Sequence, residues 1–172
     1  MNRRLTILAV VVLTLLVPAA AGCTGSAQEP GPAVRVLETE KTLPEDFYER
    51  AENGMLVFGA LDGESFDALR EEYRLSGAAA EVGWDRQGVL FLGVFESGSC
   101  PLHFVSARLS EEEDGLIVRL AVEDDSVPCT DDATPRTFVL GVDRAVVSGL
   151  RTVSLEDYHG SSPTVPVFLL DR

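Results

Sequence analysis

The residues of this chain that are best suited to chemistry are its cysteines and histidines. The 172 residues include three cysteines and two histidines, namely Cys23, Cys100, Cys129, His103 and His159. None of them lies in a motif that orders a nucleophile beside a base, because the sequence has no Gly-x-Ser-x-Gly and no His-Glu-x-x-His. The sequence therefore predicts no catalytic residue, and we expect that the protein is not an enzyme.

The two histidines have structural interpretations. His103 lies on an otherwise apolar face of a predicted strand, which favours a packed, hydrogen-bonded imidazole over a general base. His159 precedes Gly160, Ser161 and Ser162 in a loop that would suit a hydrolase only if a triad assembled in space. A hydrolase is therefore the least favoured function.

Acidic side chains occur in three short runs, at 111–114, 123–125 and 131–132. They invite a calcium interpretation, but none has the alternating Asp/Asn spacing of a calcium loop. Solvated turns account for all three runs. We therefore expect neither a bound metal nor a cofactor.

The first 22 residues have the three parts of an export signal. Arg3 and Arg4 supply the positive start, residues 5–17 form an apolar run, and Pro18 ends that run before a group of small residues. A permanent membrane-spanning helix needs about 20 apolar residues, so this run is too short for one. The sequence predicts a signal peptide over residues 1–22.

Cys23 directly follows the small residues Ala20, Ala21 and Gly22. This arrangement resembles the bacterial lipobox, whose cysteine is diacylated, for example with palmitate, before cleavage; leucine usually stands where this chain has Ala20. The alternative is ordinary cleavage after the alanine triplet, which would leave a soluble protein with an odd cysteine. Residues 24–33 are rich in Gly and Pro and typical of a flexible tether. We therefore expect lipidation at Cys23, a tether over 23–33, and attachment to the extracytoplasmic face of the cell membrane.

The charge of the mature chain limits its partners. The formal net charge is −14, and removal of the two leader arginines changes it to −16. Such an acidic surface argues against nucleic acid, where neutralisation of phosphates dominates affinity. It also argues against peripheral attraction to anionic lipid, so the acyl chains must hold the protein at the membrane.

With Cys23 assigned to lipid, Cys100 and Cys129 remain as an even pair in an oxidising compartment. Metal binding by this pair is disfavoured, because no second cysteine pair or nearby histidine completes a site. A disulfide between them would close a loop of about 30 residues and stabilise the fold by about 3.5 kcal/mol.

The remaining residues, 34–172, have the length of one domain. A helix is predicted from an N-cap at Thr42 to the Asn53-Gly54 pair, and a second over 62–75 with Phe66, Leu69 and Tyr73 on one face. Alternation or a short apolar run marks possible strands at 33–38, 55–60, 89–95, 102–109, 116–122, 137–143, 151–155 and 165–170. Pro166 predicts that the last strand lies at an edge. The expected fold is α+β, an antiparallel meander of about five or six strands packed with one or two helices and one disulfide.

The order of these elements resembles the PrcB-like domain of bacterial secreted proteins over roughly residues 55–142. The resemblance rests on the helix at 65–75, the Gly83-Trp84-Asp85 triplet, the apolar strand at 89–94 and a Gly/Ser turn before two further strands. That family is named for an accessory subunit of a surface protease complex. Its usual Thr-Gly-Gly-Tyr turn is replaced here by residues 97–101, Ser-Gly-Ser-Cys-Pro. The Cys-Pro pair and the later Cys-Thr pair are similar to those of small uncharacterised lipoproteins of high-GC Gram-positive bacteria.

The resemblance implies a fold and an accessory role, and it implies no catalytic residues. Taken with the export signal, it predicts a secreted, membrane-anchored lipoprotein that is a non-catalytic protein-binding or accessory module of the cell envelope. Its expected partners are the membrane, through the lipid anchor, and an envelope protein. The alternative is a small-molecule or ion-binding lipoprotein.

Overall fold

The structure is a computed structural model that describes residues 32–124, 126–156 and 160–170. These residues form eight strands and three helices. The strands are β1 (Arg35–Glu40), β2 (Leu56–Ala60), β3 (Gln87–Glu96), β4 (Leu102–Leu109), β5 (Gly115–Val122), β6 (Thr134–Asp143), β7 (Thr152–Glu156) and β8 (Thr164–Leu169). The helices are α1 (Phe47–Arg50), α2 (Gly63–Glu72) and α3 (Arg144–Gly149).

The strands are hydrogen-bonded in the order β1-β6-β3-β2-β8-β7-β5-β4. A five-stranded sheet and a four-stranded sheet share β8, which pairs with β2 through residues 167–169 and with β7 through residues 164–166. The β2–β8 and β5–β7 pairs are parallel, and the other pairs are antiparallel. The expected α+β class is confirmed. The antiparallel meander of five or six strands is wrong, because the described part of the chain has eight strands with crossover connections.

Because proline lacks a backbone N–H, Pro166 predicted that its strand lies at an edge of the sheet. That prediction is wrong, since β8 lies between β2 and β7. Pro166 lies opposite Thr152 of β7 and directly precedes Val167, where the pairing of β8 with β2 begins. Each partner strand covers only half of β8, so the missing donor falls where one ladder gives way to the other. The proline rule marks a gap in hydrogen bonding, and here that gap lies inside the sheet.

Two apolar layers cover the central strands. Leu90, Leu92 and Val94 of β3 face β5 and β7 across the space between the two sheets, while Val89 and Phe91 face the helices. All five are buried. The continuous apolar run of β3 therefore follows from burial of both of its faces.

Helix α2 forms as its sequence predicts. Asp62 is its N-cap and accepts a hydrogen bond from the Ser65 N–H at 2.8 Å, which satisfies one of the free donors of the first turn. Phe66, Leu69 and Tyr73 are buried against the central strands. Burial raises the pKa of the Tyr73 hydroxyl far above its usual range.

The predicted start of the first helix is wrong. Helix α1 begins at Phe47, after the N-cap Asp46, rather than just after Thr42. Thr42 instead accepts a hydrogen bond at its carbonyl from the Thr137 hydroxyl at 2.5 Å, which ties the segment to β6. The residue before a proline is biased toward extended backbone, so Pro44 delays the helix. Helix α3 follows β6 directly and was not predicted.

The strand registers define two ends of the sheet. The entry end, where the described chain begins, contains the start of β3, the end of β6 and the β4–β5 hairpin tip at residues 110–114. The far end contains residues 96–102 and 122–134. The ten residues of β3 separate the two ends by about 30 Å. Within the described ranges, no helix has the length and apolar character needed to cross a membrane.

Candidate functional site: braced loops and an open edge strand

The predicted disulfide is confirmed at the far end. The Cys100 and Cys129 sulfurs are 2.06 Å apart, and the bond joins the β3–β4 turn to the β5–β6 loop. Cys100 is buried and Cys129 is exposed. We call the two joined segments, residues 97–101 and 123–133, the braced loops; residue 125 lies outside the described residues.

Asp132 is a second tie between the braced loops. Its carboxylate accepts hydrogen bonds from the Gly98 N–H at 3.1 and 3.2 Å, from the Thr134 hydroxyl at 3.1 Å, and from the Thr130 hydroxyl. The bond from Thr130, followed by that from the Gly98 N–H, lowers the pKa of Asp132 below its ordinary value. A Cβ at Gly98 would meet this carboxylate, so any larger residue there would require the Asp132 side chain to move.

A buried ion pair lies beneath the braced loops. The fully buried carboxylate of Glu96 accepts a hydrogen bond from Arg136 Nη2 at 2.7 Å and one from the Leu102 N–H at 2.8 Å. Arg136 Nε is also buried and has no hydrogen-bond partner in the described structure. Glu96 therefore fixes the first residue of β4 relative to the end of β3. No sequence motif marks this pair, because its members are 40 positions apart.

The hydroxyl groups of the braced loops do not form a catalytic arrangement. Ser97, Ser99 and Thr130 are within 3.0–3.3 Å of one another, and the Thr130 N–H donates to Ser99 Oγ at 2.9 Å. The carboxylate beside them, Asp132, has a lowered pKa, which weakens it as a general base. The loops border an open pocket of about 700 Å³ that also contains the disulfide.

His103 is exposed, so the predicted packed imidazole is wrong. A bulge between Phe104 and Ser106 is the reason. Leu102 and Phe104 before the bulge, and Ala107 and Leu109 after it, lie opposite the inward-facing side of β5. A β-bulge inserts one residue and so reverses which alternate positions face the core. Strict alternation had placed His103 on the same face as Ala107.

Strand β4 is an edge strand of the described sheet and pairs with β5 alone. Val105, in the bulge, is 52% exposed, although it is an apolar residue in a strand. The recess beside it is shallow and is bordered by His103 and Glu123. An edge strand presents unpaired backbone groups, and these begin directly after the braced loops.

A groove of about 920 Å³ lies at the entry end. Arg35, Arg86 and Arg108 line it, but so do carboxylates that include Glu111 and Asp143. The Arg108 guanidinium is already within 3.2 Å of a carboxylate oxygen of Glu156. Opposite charges are therefore interleaved here, and the groove does not concentrate one sign of charge on a ligand.

Asp124, in the second acidic run, has local hydrogen-bond partners. Asp124 accepts hydrogen bonds from the Ser126 hydroxyl at 2.6 Å and its N–H at 2.9 Å, and these bonds lower the pKa of Asp124. No group of three or more His, Cys, Asp or Glu side chains in the described ranges is placed to hold a metal ion. Cys23 and His159, and the predicted signal peptide and predicted tether up to residue 31, lie outside the described residues.

Models of known protein families, curated proteins and solved structures gave no match to this chain. The resemblance to the PrcB-like domain and to high-GC Gram-positive lipoproteins therefore stays a prediction.

Proposed function

We propose that this protein is a lipid-anchored, non-catalytic module that binds or supports another protein of the cell envelope. The observation that carries the proposal is the largely exposed pair of braced loops at the far end of the sheet, which a disulfide and hydrogen bonds hold together. Binding surfaces are commonly built on loops that a rigid scaffold holds in place.

Three independent ties support this interpretation of the braced loops. The disulfide joins them covalently, Asp132 bridges them by hydrogen bonds, and Glu96 fixes the point where the first loop enters β4. A surface that is ordered before it meets its partner loses less conformational entropy on binding. The ties between the braced loops therefore support a recognition role for them.

The position of the chain entry also supports a recognition role for the far end. The described chain begins at Pro32, which borders the groove at the entry end. A lipid on Cys23 would be joined to Ala33 by ten residues, which reach about 35 Å when fully extended. This reach is similar to the separation of about 30 Å between the two ends, so a lipid on Cys23 would allow the braced loops to face away from the membrane.

The chemistry of the far end supports a non-catalytic role. Ser97, Ser99 and Thr130 have hydroxyl and carboxylate neighbours, and no described histidine or lysine lies within hydrogen-bonding distance of them. Activation of a hydroxyl nucleophile requires an adjacent general base. The hydroxyls instead donate and accept bonds that hold the loops together.

Site-specific photocrosslinking on intact cells tests the proposal. A photoreactive amino acid at Val127, which is 53% exposed in the braced loops, should give a discrete crosslinked protein. The matched control carries the same group at Glu71, an exposed position on α2. The Val127 product should disappear in the Cys100→Ser/Cys129→Ser chain, and a Cys23→Ser chain should be released into the medium. Absence of a Val127 product, or the same products from Val127 and Glu71, would contradict the proposal.

A further inference from the structure

The free side of β4 has a defined set of backbone groups. The Ser110 N–H donates to the Gly115 carbonyl at 2.8 Å, so these residues form a hydrogen-bonded pair next to the hairpin tip. Such pairs alternate along an antiparallel ladder. Leu109 and Ala107, opposite Leu116 and Val118, therefore direct their backbone N–H and C=O groups away from β5.

The charges at the two ends of β4 restrict what can pair with this edge. The hairpin tip at its C-terminal end carries four consecutive acids, at 111–114, and Glu123 and Asp124 follow its partner strand at the other end. Antiparallel addition of a second copy would place the acidic tip of one copy beside Glu123 and Asp124 of the other. Like charges brought together in this way oppose association. These acidic groups therefore oppose pairing of β4 with the β4 strand of a second copy.

The same charges favour a different occupant. A segment with lysine or arginine at both ends would meet carboxylates at both ends of β4. Its central residues would face little net charge, because Arg108 is already paired with Glu156. The bulge at Val105 limits the regular ladder to residues 106–109 and the short stretch before the bulge. A pairing segment of about six residues is enough to cover this length.

We propose that β4 takes up an extended segment of a partner protein, with basic residues at both ends, as an additional strand of the sheet. Main-chain hydrogen bonds give affinity in this mode of recognition, and the flanking charges select the segment. The inference rests on the proposed protein-binding function and assigns it a surface. The edge begins at Leu102, directly beside the braced loops, so one partner can contact both.

A peptide titration tests this inference on the full-length chain in non-ionic detergent. The probe is a fluorescent peptide with three Thr-Val repeats between two lysine pairs, and its control has glutamates in place of the lysines. We expect saturable binding of the lysine peptide with a Kd below about 1 mM, measured by anisotropy. The glutamate peptide should not bind, and raising the salt concentration should weaken the lysine peptide, since exposed charges are screened.

Hydrogen exchange locates the bound peptide on the unmodified chain. The amides of Ala107 and Leu109 should exchange more slowly when the lysine peptide is present. This readout does not depend on the folding of a variant. Protection of other amides with none at Ala107 and Leu109 would overturn the inference.

Two variants test separately how much the backbone hydrogen bonds and the flanking charges contribute to peptide binding. Ala107→Pro removes an outward N–H, a change that edge strands tolerate, and should weaken binding at least about tenfold. Glu112→Gln/Glu113→Gln should weaken it by about threefold, as removal of rim charges does. The matched control, Asp67→Asn/Glu71→Gln, makes the same charge change on exposed positions of α2 and should bind as the unmodified chain does.

The outcomes distinguish this inference from the proposed function. If the lysine peptide does not bind, or binds a folded Ala107→Pro chain equally well, strand addition at β4 is wrong. Equal effects of the two charge variants would also overturn it. A specific photocrosslink from Val127 would still support the protein-binding function in each of these cases.

Discussion

The two edge strands of the sheet are held in different ways. The C-terminal half of strand β1 is tied to α2 and to the residues that follow it, because Glu38 pairs with Arg70 and Glu40 accepts bonds from the Ser76 and Gly77 N–H groups. Strand β4 is fixed at its first residue, through Glu96 and the adjacent disulfide, and the backbone of its later residues pairs only with β5.

The two edge strands are thus protected from unwanted pairing with other chains in two different ways. Unpaired edges invite association with other chains. At β1, packing of a charged loop segment against the strand restricts access, and the side chains of Glu38 and Arg70 are 11% and 10% exposed. At β4, the backbone is open and acidic groups at both ends restrict which chain can approach. We infer that β4 is the edge available to a partner.

The largest expected effect comes from breaking the anchor of β4. Cys100→Ser/Cys129→Ser should destabilise the domain by about 3.5 kcal/mol in oxidising conditions, because the reduced chain recovers loop entropy when unfolded. Urea denaturation measures the loss, and the parent chain in a reductant should match the variant. Hydrogen exchange should show loss of protection at the start of β4 and little change in β1. Equal stability of variant and parent in oxidising conditions would contradict a stabilising bridge.

Breaking the anchor of β1 should have a slightly smaller effect. Arg70→Met leaves the buried Glu38 carboxylate without its cation and should cost about 3 kcal/mol in urea denaturation. The matched control is Arg74→Met, whose partner Glu45 is 87% exposed, and it should cost less than about 1 kcal/mol. Exchange should rise in β1 and not in β4. The same cost for both variants would mean that burial of the Arg70 pair is unimportant.

Acidification should weaken the hydrogen bonds that Asp132 accepts in the braced loops and those that Glu40 accepts beside β1. Its effect on stability should be smaller than that of either change above. Bonds from Thr130 and from the Gly98 N–H lower the pKa of Asp132, and bonds from Gly77 and Ser76 lower the pKa of Glu40. A carboxylate with a lowered folded pKa stabilises the fold fully above its ordinary pKa, 3.8 for Asp132 and 4.5 for Glu40. That stability is lost as the pH falls through the folded pKa.

The melting temperature between pH 6 and pH 3 measures this dependence. We expect Asp132→Asn and Glu40→Gln each to flatten the acid side of the profile while lowering stability at pH 6. Asp67→Asn, which changes an exposed carboxylate on α2, is the control. A profile that is unchanged by Asp132→Asn would show that this carboxylate does not tie the braced loops.

Much of the local structure follows from sequence patterns. Alternation and apolar runs predict all eight described strands to within a few residues. The helical spacing of Phe66, Leu69 and Tyr73 correctly predicts the buried face of α2. The Cys100–Cys129 pairing followed from counting cysteines. The face of His103 was misread, because a bulge leaves no mark in the local alternation of residues.

The sequence by itself determined the strands, helix α2 and the disulfide, because side-chain period and cysteine number are local or countable properties. Only the tertiary structure decided which strands are neighbours, where Pro166 is tolerated, and that Glu96 meets Arg136 beneath the braced loops. It also decided that β4, and not the proline-containing last strand, has an open edge. These features arise from pairings between distant parts of the chain, whose energies depend on packing that no short window of sequence contains.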